Sequence, residues 1–369
     1  MFEQNDLKFF AQCPPGLEPA LAGELRSLGA GGLEPGHGGV AFTGDRALAA
    51  RANLMLRTAT RVLLRLDRFP AAHLNELESR ARRVPWERYL TKDQPFQLRV
   101  SCHASRIYHT GAAEERVARA LAAATGGRAD KTAGAALVLV RIERDGCELS
   151  LDTSGAPLHQ RGFKAEVGAA PLRETLAAGV LLLAGYDGSQ PLLDPMCGSG
   201  TFALEAGLLA LGRAPGLDRR FALEDVPGFG PGLFAEERAR LRALERPAPP
   251  APILAADADA GAVGKARRNL ARAGLEGLVR LERRRLEDQR LGPGPGLVVV
   301  NPPYGGRLGR GDDLEALHAR LGALVGGTGW RLALVTEQER LAHATGLVFQ
   351  AVRGPLHHGG RKVRLYLTA

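Results

Sequence analysis

Residues 191–211 read PLLDPMCGSGTFALEAGLLAL and decide the fold of the second half of the chain. A short apolar run ends in an aspartate, a glycine-rich turn follows, and an apolar helix pattern begins at once. This order is typical of the first unit of a parallel α/β sheet, in which the glycines let the backbone approach a ligand. We therefore predict a binding site formed by Asp194, Pro195, Met196, Cys197, Gly198, Ser199, Gly200 and Thr201.

The sequence downstream of this turn repeats the alternation of strand and helix. Strands are predicted at 192–194, 253–257, 279–282, 297–301 and 331–336, and helices at 201–211, 260–273 and 314–325. Such alternation predicts a parallel, doubly wound sheet, which segments 347–352 and 363–367 would close with a hairpin. The Pro- and Gly-rich segment 212–252, with a helix near 235–244, interrupts the repeat. Connections of this length are often functional or mobile.

A dinucleotide site is the rival interpretation of the glycine turn, because Gly198, Gly200 and Ala203 satisfy the loose G-x-G-x-x-A spacing. That fingerprint places its ribose-binding acid about 20 residues later, whereas the second strand here ends at Asp257, after the long insertion. Asp257 is the better candidate for the ribose hydroxyls of a cofactor. Asp259 either shares this role or caps the helix that begins at Ala260.

The tetrapeptide Asn301-Pro302-Pro303-Tyr304 follows the apolar strand 297–300. Two prolines remove two amide donors and leave carbonyls free to accept hydrogen bonds. Asn301 adds a side-chain carbonyl, and Tyr304 adds an aromatic face on which a base can stack. The alternative is that Asn301-Pro302 only opens a turn and that Tyr304 is a packed aromatic. This alternative does not explain why the segment lies at the ligand-binding end of the sheet. The pattern predicts a site for a planar group that carries an amine.

The first 153 residues have a different pattern, with short strands and amphipathic helices that predict small antiparallel sheets packed with helices. Asp145-Gly146 predicts a hairpin turn between the strands 137–143 and 148–152. Polar, turn-rich residues from Ser154 to Pro171 then lead into a helix at 172–183. We place the boundary between the two halves of the chain in that turn-rich segment.

Composition limits the class of protein. The 369 residues carry a formal charge of +9, mainly from arginine, which favours a polyanionic partner, although an arginine-rich genome could also supply these residues. Four isolated cysteines fit a reduced cytoplasm. No leader and no apolar run long enough for a membrane span are evident. His357-His358 lacks a third ligand and is interpreted as a polar loop, so no metal is predicted.

The motifs at 194–201 and 301–305 (Asn-Pro-Pro-Tyr-Gly) resemble those of class I methyltransferases that modify exocyclic amines. The segments from Leu151 to Phe163 and from Ala170 to Ala177, together with 15–21 and 213–217, extend the similarity to THUMP-domain RNA guanine-N2 methyltransferases. The resemblance covers essentially the whole chain and is strongest to the N-terminal methyltransferase half of the bacterial 23S rRNA methyltransferase L.

This resemblance implies an α/β fold with a Rossmann-like class I methyltransferase domain, built on a mixed, mostly parallel seven-stranded sheet, after α+β ferredoxin-like and THUMP RNA-binding domains. The expected ranges are 1–60 for the ferredoxin-like region, 61–155 for THUMP, 156–190 for a linker with a leading helix, and 191–369 for the catalytic domain. S-adenosylmethionine is the implied cofactor. The implied substrate is RNA, with 23S rRNA or a ribosome assembly intermediate as the expected target, methylated at guanine N2.

Within this framework, Asn301, Pro302, Pro303 and Tyr304 are the expected catalytic residues, and Asn301 is also expected at the cofactor. Arg106, His109, Arg161 and Lys164 are candidate RNA contacts, although each could be an ordinary solvated side chain. The family usually carries an aspartate facing the adenine after the third strand, where this chain has Arg283-Arg284-Arg285. Asp288 is the candidate replacement. Methylation of tRNA guanine or of adenine N6, and an inactive RNA-binding assembly factor, stay open.

Overall fold

The computed structural model of the protein describes residues 7–130, 134–166, 172–303, 314–358 and 360–369. The strands in these ranges form two seven-stranded sheets, one upstream of residue 153 and one downstream of residue 191. Buried apolar side chains from both sheets belong to one continuous core. The two halves of the chain are therefore packed against each other.

The first sheet has the strand order β2-β3-β1-β4-β7-β6-β5. Its strands are β1 (Leu7–Gln12), β2 (Gly31–Gly36), β3 (Gly39–Gly44), β4 (Arg61–Pro70), β5 (Phe96–His103), β6 (Ala136–Glu143) and β7 (Gly146–Asp152). The prediction of several small antiparallel sheets is wrong, because β4 pairs with both β1 and β7 and joins all seven strands. One pair, β5 with β6, is parallel. The predicted boundary at residue 60 falls inside this common sheet and stays a prediction.

The hairpin between β6 and β7 is confirmed, but its turn is centred one residue earlier than predicted. Glu143 pairs with Gly146, so that Arg144 and Asp145 form the two-residue loop. Both have positive φ, 50° and 59°, as a type I′ turn requires. The two positive-φ positions, which usually favour glycine, are thus occupied by Arg144 and Asp145. Gly146 is already the first residue of β7.

Four helices pack their apolar sides against one face of this sheet. They are α1 (Glu18–Ser27), α2 (Arg46–Met55), α3 (Leu74–Ala81) and α4 (Thr110–Thr125). Strand residues of that face, such as Phe9 and Phe42, are buried together with apolar residues of the helices. Asp45 caps α2 by accepting a hydrogen bond from the Leu48 amide at 2.6 Å. Burial of one face gives the alternating pattern from which the strands were predictable.

The second sheet has the order β10-β9-β8-β11-β12-β14-β13. Its strands are β8 (Leu192–Asp194), β9 (Ile253–Asp257), β10 (Arg280–Arg283), β11 (Leu297–Val300), β12 (Arg331–Thr336), β13 (Ala351–His358) and β14 (Arg361–Leu367). The five strands β8–β12 are parallel, and β14 and β13 join them antiparallel. The predicted mixed, mostly parallel sheet is confirmed.

The helices of the second half are α5 (Glu174–Leu183), α6 (Thr201–Ala210), α7 (Gly230–Ala243), α8 (Ala260–Arg272), α9 (Leu314–Val325) and α10 (Glu339–His343). The sequence placed the closing hairpin too early, at 347–352, whereas β13 begins at Ala351. Most β13 side chains are exposed, so no alternation marks the strand. His357 and His358 lie on β13 rather than in a loop, and the described residues contain no group of three or more metal-ligand side chains.

The insertion 212–252 packs onto the first half of the chain. Its helix α7 contacts α2 through an ion pair of 3.0 Å between Arg51 and Glu237. The Leu223 amide donates to the Thr153 carbonyl at 2.9 Å, which fixes the segment before α7 beside the end of β7. The insertion thus helps to hold the two halves together.

Among the described helices, none combines the length and the apolar character that crossing a membrane requires.

Candidate active site

The glycine turn connects the buried carboxyl end of β8 to α6. Gly198 and Gly200 have φ of 55° and 82°, a region that side chains disfavour. A Cβ on Gly200 would lie 3.0 Å from the Cβ of Ala266 on α8, so the turn packs closely against that helix. A Cβ on Gly198 would meet no atom within 4 Å. The turn therefore presents backbone to open space on one side while it is held by α8 on the other.

Asp257 at the end of β9 fastens this turn. Its carboxylate accepts one hydrogen bond from the Gly198 amide and one from the Asp259 amide, each of 2.9 Å. The Cys197 amide donates to the Ala256 carbonyl at 2.9 Å. A carboxylate has about four acceptor positions, so Asp257 retains capacity for ligand hydroxyls. Asp259 caps α8 by accepting from the Gly261 amide at 2.8 Å, as the alternative interpretation predicted.

Asp194 brings a carboxyl group into a buried position beneath the turn. Asp194 is 1% exposed as a residue, and its carboxyl group accepts one hydrogen bond, of 3.3 Å, from the Met196 amide. Burial raises the pKa of Asp194 well above its ordinary value, and the nearby charge of Asp257 raises it further. A buried carboxyl with so few donors is an unfavourable arrangement for a fold alone. A cationic ligand group would supply what is missing.

Asn301 follows β11, which pairs with β8 through Val298 and Leu193. The parallel arrangement brings Asn301 to the same sheet edge as Asp194. Its side-chain oxygen, Oδ1, is buried and has no hydrogen-bond partner among the described residues. Pro302 is buried and Pro303 half-buried, and neither has an amide hydrogen. Tyr304 lies outside the described residues, so its predicted stacking role stays a prediction.

The end of β10 and the residue after it are hydrogen-bonded to the end of β9 and to the residue that follows β9. The Arg284 amide donates to the Asp257 carbonyl at 3.0 Å, and the Arg283 guanidinium donates to the Ala258 carbonyl at 3.2 Å. Asp288 ends a short 3₁₀ turn, Leu286–Asp288, and is exposed. Its proposed contact with the adenine of the cofactor stays a prediction.

Arg161 and Lys164, predicted as RNA contacts, are buried by the protein itself. The Arg161 side chain is 2% exposed, pairs with Glu205 at 2.7 Å and donates to the Arg57 carbonyl at 2.7 Å. The Lys164 side chain is 4% exposed and donates to the Leu172 carbonyl. Both predictions are wrong, because neither charge reaches solvent. The single charge in the apolar helix α6, Glu205, was the available signal for a buried partner.

Arg106 and His109, the other two predicted RNA contacts, lie on the surface at the start of α4. Between them is Tyr108, which the sequence did not single out and which is 78% exposed. The Tyr108 and His109 ring centroids are 5.6 Å apart. These residues line a cleft of about 480 Å³ together with His73 and Arg116. An exposed ring beside cationic side chains is suited to stacking on a nucleotide base.

Family models match three consecutive parts of the chain. They are described as the RlmL ferredoxin-like domain at residues 8–63, the THUMP domain at 71–152, and the RMKL-like methyltransferase domain at 161–357. The last match covers more than half of the chain.

Two curated relatives agree with these matches. The "Ribosomal RNA large subunit methyltransferase K/L" of Syntrophotalea carbinolica is 38% identical over 92% of this chain, which spans 50% of that relative. The "Putative RNA methyltransferase slr0064" of Synechocystis is 32% identical over 97% of this chain and 96% of its own length. The chain thus spans about half the length of the K/L relative but nearly all of the second one.

Two solved structures share the fold across almost the whole chain. SMU.472, described as "a putative methyltransferase complexed with SAH", has a TM-score of 0.88 and 28% identity and covers 99% of this chain and 98% of its own. A "predicted N6-adenine-specific DNA methylase" of Listeria monocytogenes has a TM-score of 0.90 and 30% identity, with coverages of 99% and 96%. SAH, S-adenosylhomocysteine, is what S-adenosylmethionine becomes after methyl transfer. The chain therefore belongs to the RMKL-like methyltransferase family, in which it is an S-adenosylmethionine-dependent methyltransferase that also carries a THUMP domain.

Proposed function

We propose that the chain transfers the methyl group of S-adenosylmethionine to the exocyclic N2 amine of a guanosine in RNA, and that this RNA is 23S rRNA. The observation that carries the proposal is the buried Oδ1 of Asn301, which has no hydrogen-bond partner in the described part of the chain and follows the strand next to the turn 194–201, called the cofactor turn from here on. An acceptor without a donor at this position matches a substrate that brings an N–H group. Support for RNA comes from the THUMP domain and from the name of the K/L relative.

In this proposal the cofactor is held by the turn 194–201. Asp257 accepts hydrogen bonds from the ribose hydroxyls, and the Asp194 carboxyl complements the positive charge of the cofactor. S-adenosylmethionine supplies a sulfonium-activated methyl group when bound. The exposed position of Asp288 leaves it available to the adenine.

The catalytic contribution of the chain is to orient the amine. Asn301 Oδ1 accepts one N–H of the guanine N2 and the Pro302 carbonyl accepts the other, which directs the nitrogen lone pair at the methyl carbon. As the N–C bond forms and the C–S bond breaks, positive charge develops on the amine, and the two oxygens stabilise it. The product aminium loses a proton to water. Because the methyl group is already activated, most of the acceleration comes from proximity and orientation.

A target base inside an RNA helix must leave its stack to reach this site. Tyr304 is proposed to stack on the extruded base. The cleft at Arg106, Tyr108 and His109 is proposed as an RNA contact of the THUMP domain, in place of Arg161 and Lys164. RNA binding would then lie away from the methyl donor, and the fixed packing of the two halves would set the distance between them.

Methylation of adenine N6 is the second candidate, because an Asn-Pro-Pro acceptor pair suits either exocyclic amine and one structural relative is described as a "predicted N6-adenine-specific DNA methylase". The test is methyl transfer from labelled S-adenosylmethionine to undermethylated total RNA, fractionated into large rRNA, small rRNA and tRNA, with nucleoside analysis. N2-methylguanosine in large rRNA is the expected product. Label in tRNA would overturn the rRNA substrate, N6-methyladenosine would overturn the base, and no label in RNA would overturn the proposal.

A further inference from the structure

Asn269 on α8 is a fully buried polar residue that no part of the proposed mechanism uses. Its Nδ2 donates to the Ser199 carbonyl at 3.0 Å and to the Glu166 carbonyl at 2.8 Å. Its Oδ1 accepts from the Glu166 amide at 3.0 Å. One side-chain amide therefore bonds both the cofactor turn and the segment that leads into the catalytic domain.

The hydrogen bond to Ser199 restrains the part of the turn that has the greatest conformational freedom. Ser199 lies between Gly198 and Gly200, the two residues with positive φ, and glycine peptides have the greatest conformational freedom in an unfolded chain. Asp257 holds the Gly198 amide from the side of β9. Asn269, on α8, donates to the carbonyl of the next residue, Ser199. The two contacts together fix the peptide planes of the turn.

The bonds to Glu166 act on the linker segment, which we define as residues 161–166. At its start, Arg161 pairs with Glu205 on α6. At its end, the backbone of Glu166 is bonded on both its amide and its carbonyl by Asn269. The linker segment is thus attached to the two helices, α6 and α8, that pack beside the cofactor turn.

We propose that Asn269 is a positioning residue for methyl transfer: it keeps the cofactor turn in its binding conformation and holds the linker segment in register with it. Its effect on cofactor affinity rests on the established use of S-adenosylmethionine. Its effect on RNA methylation rests on the function proposed above. An amide is required because two carbonyls need donors and one amide hydrogen needs an acceptor, and asparagine supplies all three in one side chain.

The test measures S-adenosylhomocysteine binding to the full chain by titration calorimetry, at a temperature well below the Tm of every variant. Asn269→Ala is expected to raise the Kd roughly tenfold to a hundredfold, because the turn loses its hydrogen bond to α8 and buried carbonyls lose their donor. Asn269→Ser, which can retain one donor, is expected to have an intermediate Kd. Kd for RNA should not change in either variant, while kcat falls.

Glu166→Ala is the matched control. It removes the surface ion pairs with Arg268 and Arg272 but leaves the backbone groups that Asn269 bonds, so cofactor affinity should equal that of the wild type. Asn269→Ala with wild-type affinity for S-adenosylhomocysteine would overturn the proposal. If that variant does not fold, Asn269→Ser decides, and unchanged affinity overturns it. Failure to methylate RNA in the wild type would count against the proposed substrate alone, since cofactor binding is measured without RNA.

Discussion

Two asparagine side chains, one beside each sheet, differ in how many hydrogen-bond partners they have. Near the end of β7, Asn53 donates to Ala49 and Thr153 and accepts from the Ser154 hydroxyl, with all three bonds between 2.7 and 3.0 Å. At the carboxyl edge of the second sheet, Asn301 is half-buried and its buried Oδ1 has no partner among the described residues, and Asp194 accepts one long hydrogen bond. The partners of Asn53 lie within the first half of the chain and stabilise its architecture, whereas an acceptor without a partner at the ligand-binding edge of a parallel sheet is suited to a ligand that completes its hydrogen bonds.

The largest effect is expected at Asn301. Asn301→Ala should lower kcat for RNA methylation by about 10²–10³-fold, because the developing charge on the amine loses a positioned acceptor. Asn301→Asp, which retains an acceptor oxygen, should keep more activity. The measurement is single-turnover methyl transfer with saturating cofactor.

Asn53→Ala is the control for this contrast. It should lower the free energy of unfolding by about 1–3 kcal/mol and leave kcat per folded molecule unchanged. Full turnover by Asn301→Ala would remove the distinction between the two asparagines and with it the proposed mechanism.

The second effect concerns the buried ion pair of the linker segment. Arg161→Ala leaves Glu205 with Arg57 as its nearest cation, at 3.9 Å, and should lower the free energy of unfolding by about 3–5 kcal/mol. RNA affinity of the folded fraction should not change, since Arg161 does not reach solvent. Denaturant unfolding and filter binding at matched salt check both statements. A large loss of RNA affinity without a loss of stability would restore Arg161 as an RNA contact.

Asp194 is expected to lower the stability of the cofactor-free fold and to raise the affinity for the cofactor. Because burial raises its pKa, the fold is favoured at low pH and loses stability as pH rises through the raised pKa, where the buried charge must form. Asp194→Asn should therefore raise the Tm of the cofactor-free chain at pH 8, by about 2 °C or more, with less gain at acidic pH. Its affinity for S-adenosylmethionine should fall about tenfold. Thermal scans and calorimetry would contradict this if Tm and affinity fell together at pH 8.

The smallest effect is expected at the cleft lined by Arg106, Tyr108 and His109. Tyr108→Ala should raise the Kd for RNA by about tenfold, the effect of losing one stacked base. Tyr108→Phe should bind like the wild type, because the ring is retained. Arg106→Ala should weaken binding a few-fold and reduce the salt dependence by about one phosphate contact. Equal RNA affinity for all three variants would exclude this cleft as an RNA contact.

The sequence by itself determined the elements and the order of the active-site motifs. The apolar run before Asp194, the glycine turn and the helix after it are local patterns, and each formed where the spacing predicted. Asn301 lies at the ligand-binding edge because it follows a strand of a parallel sheet, in which the carboxyl ends of the strands all lie at the same edge. Local periodicity and turn chemistry contain this information, so no knowledge of distant partners was needed.

Only the tertiary structure decided which charged and polar side chains face a partner and which face solvent. Arg161 is buried by Glu205, 44 residues away in sequence, and Asn269 bonds Glu166, 103 residues away. The union of the strands into one first sheet likewise depends on β4 pairing with strands from both ends of that half. A charged side chain is buried where the fold places an opposite charge beside it. The pattern of single residues along the sequence does not show which distant residue will supply that opposite charge.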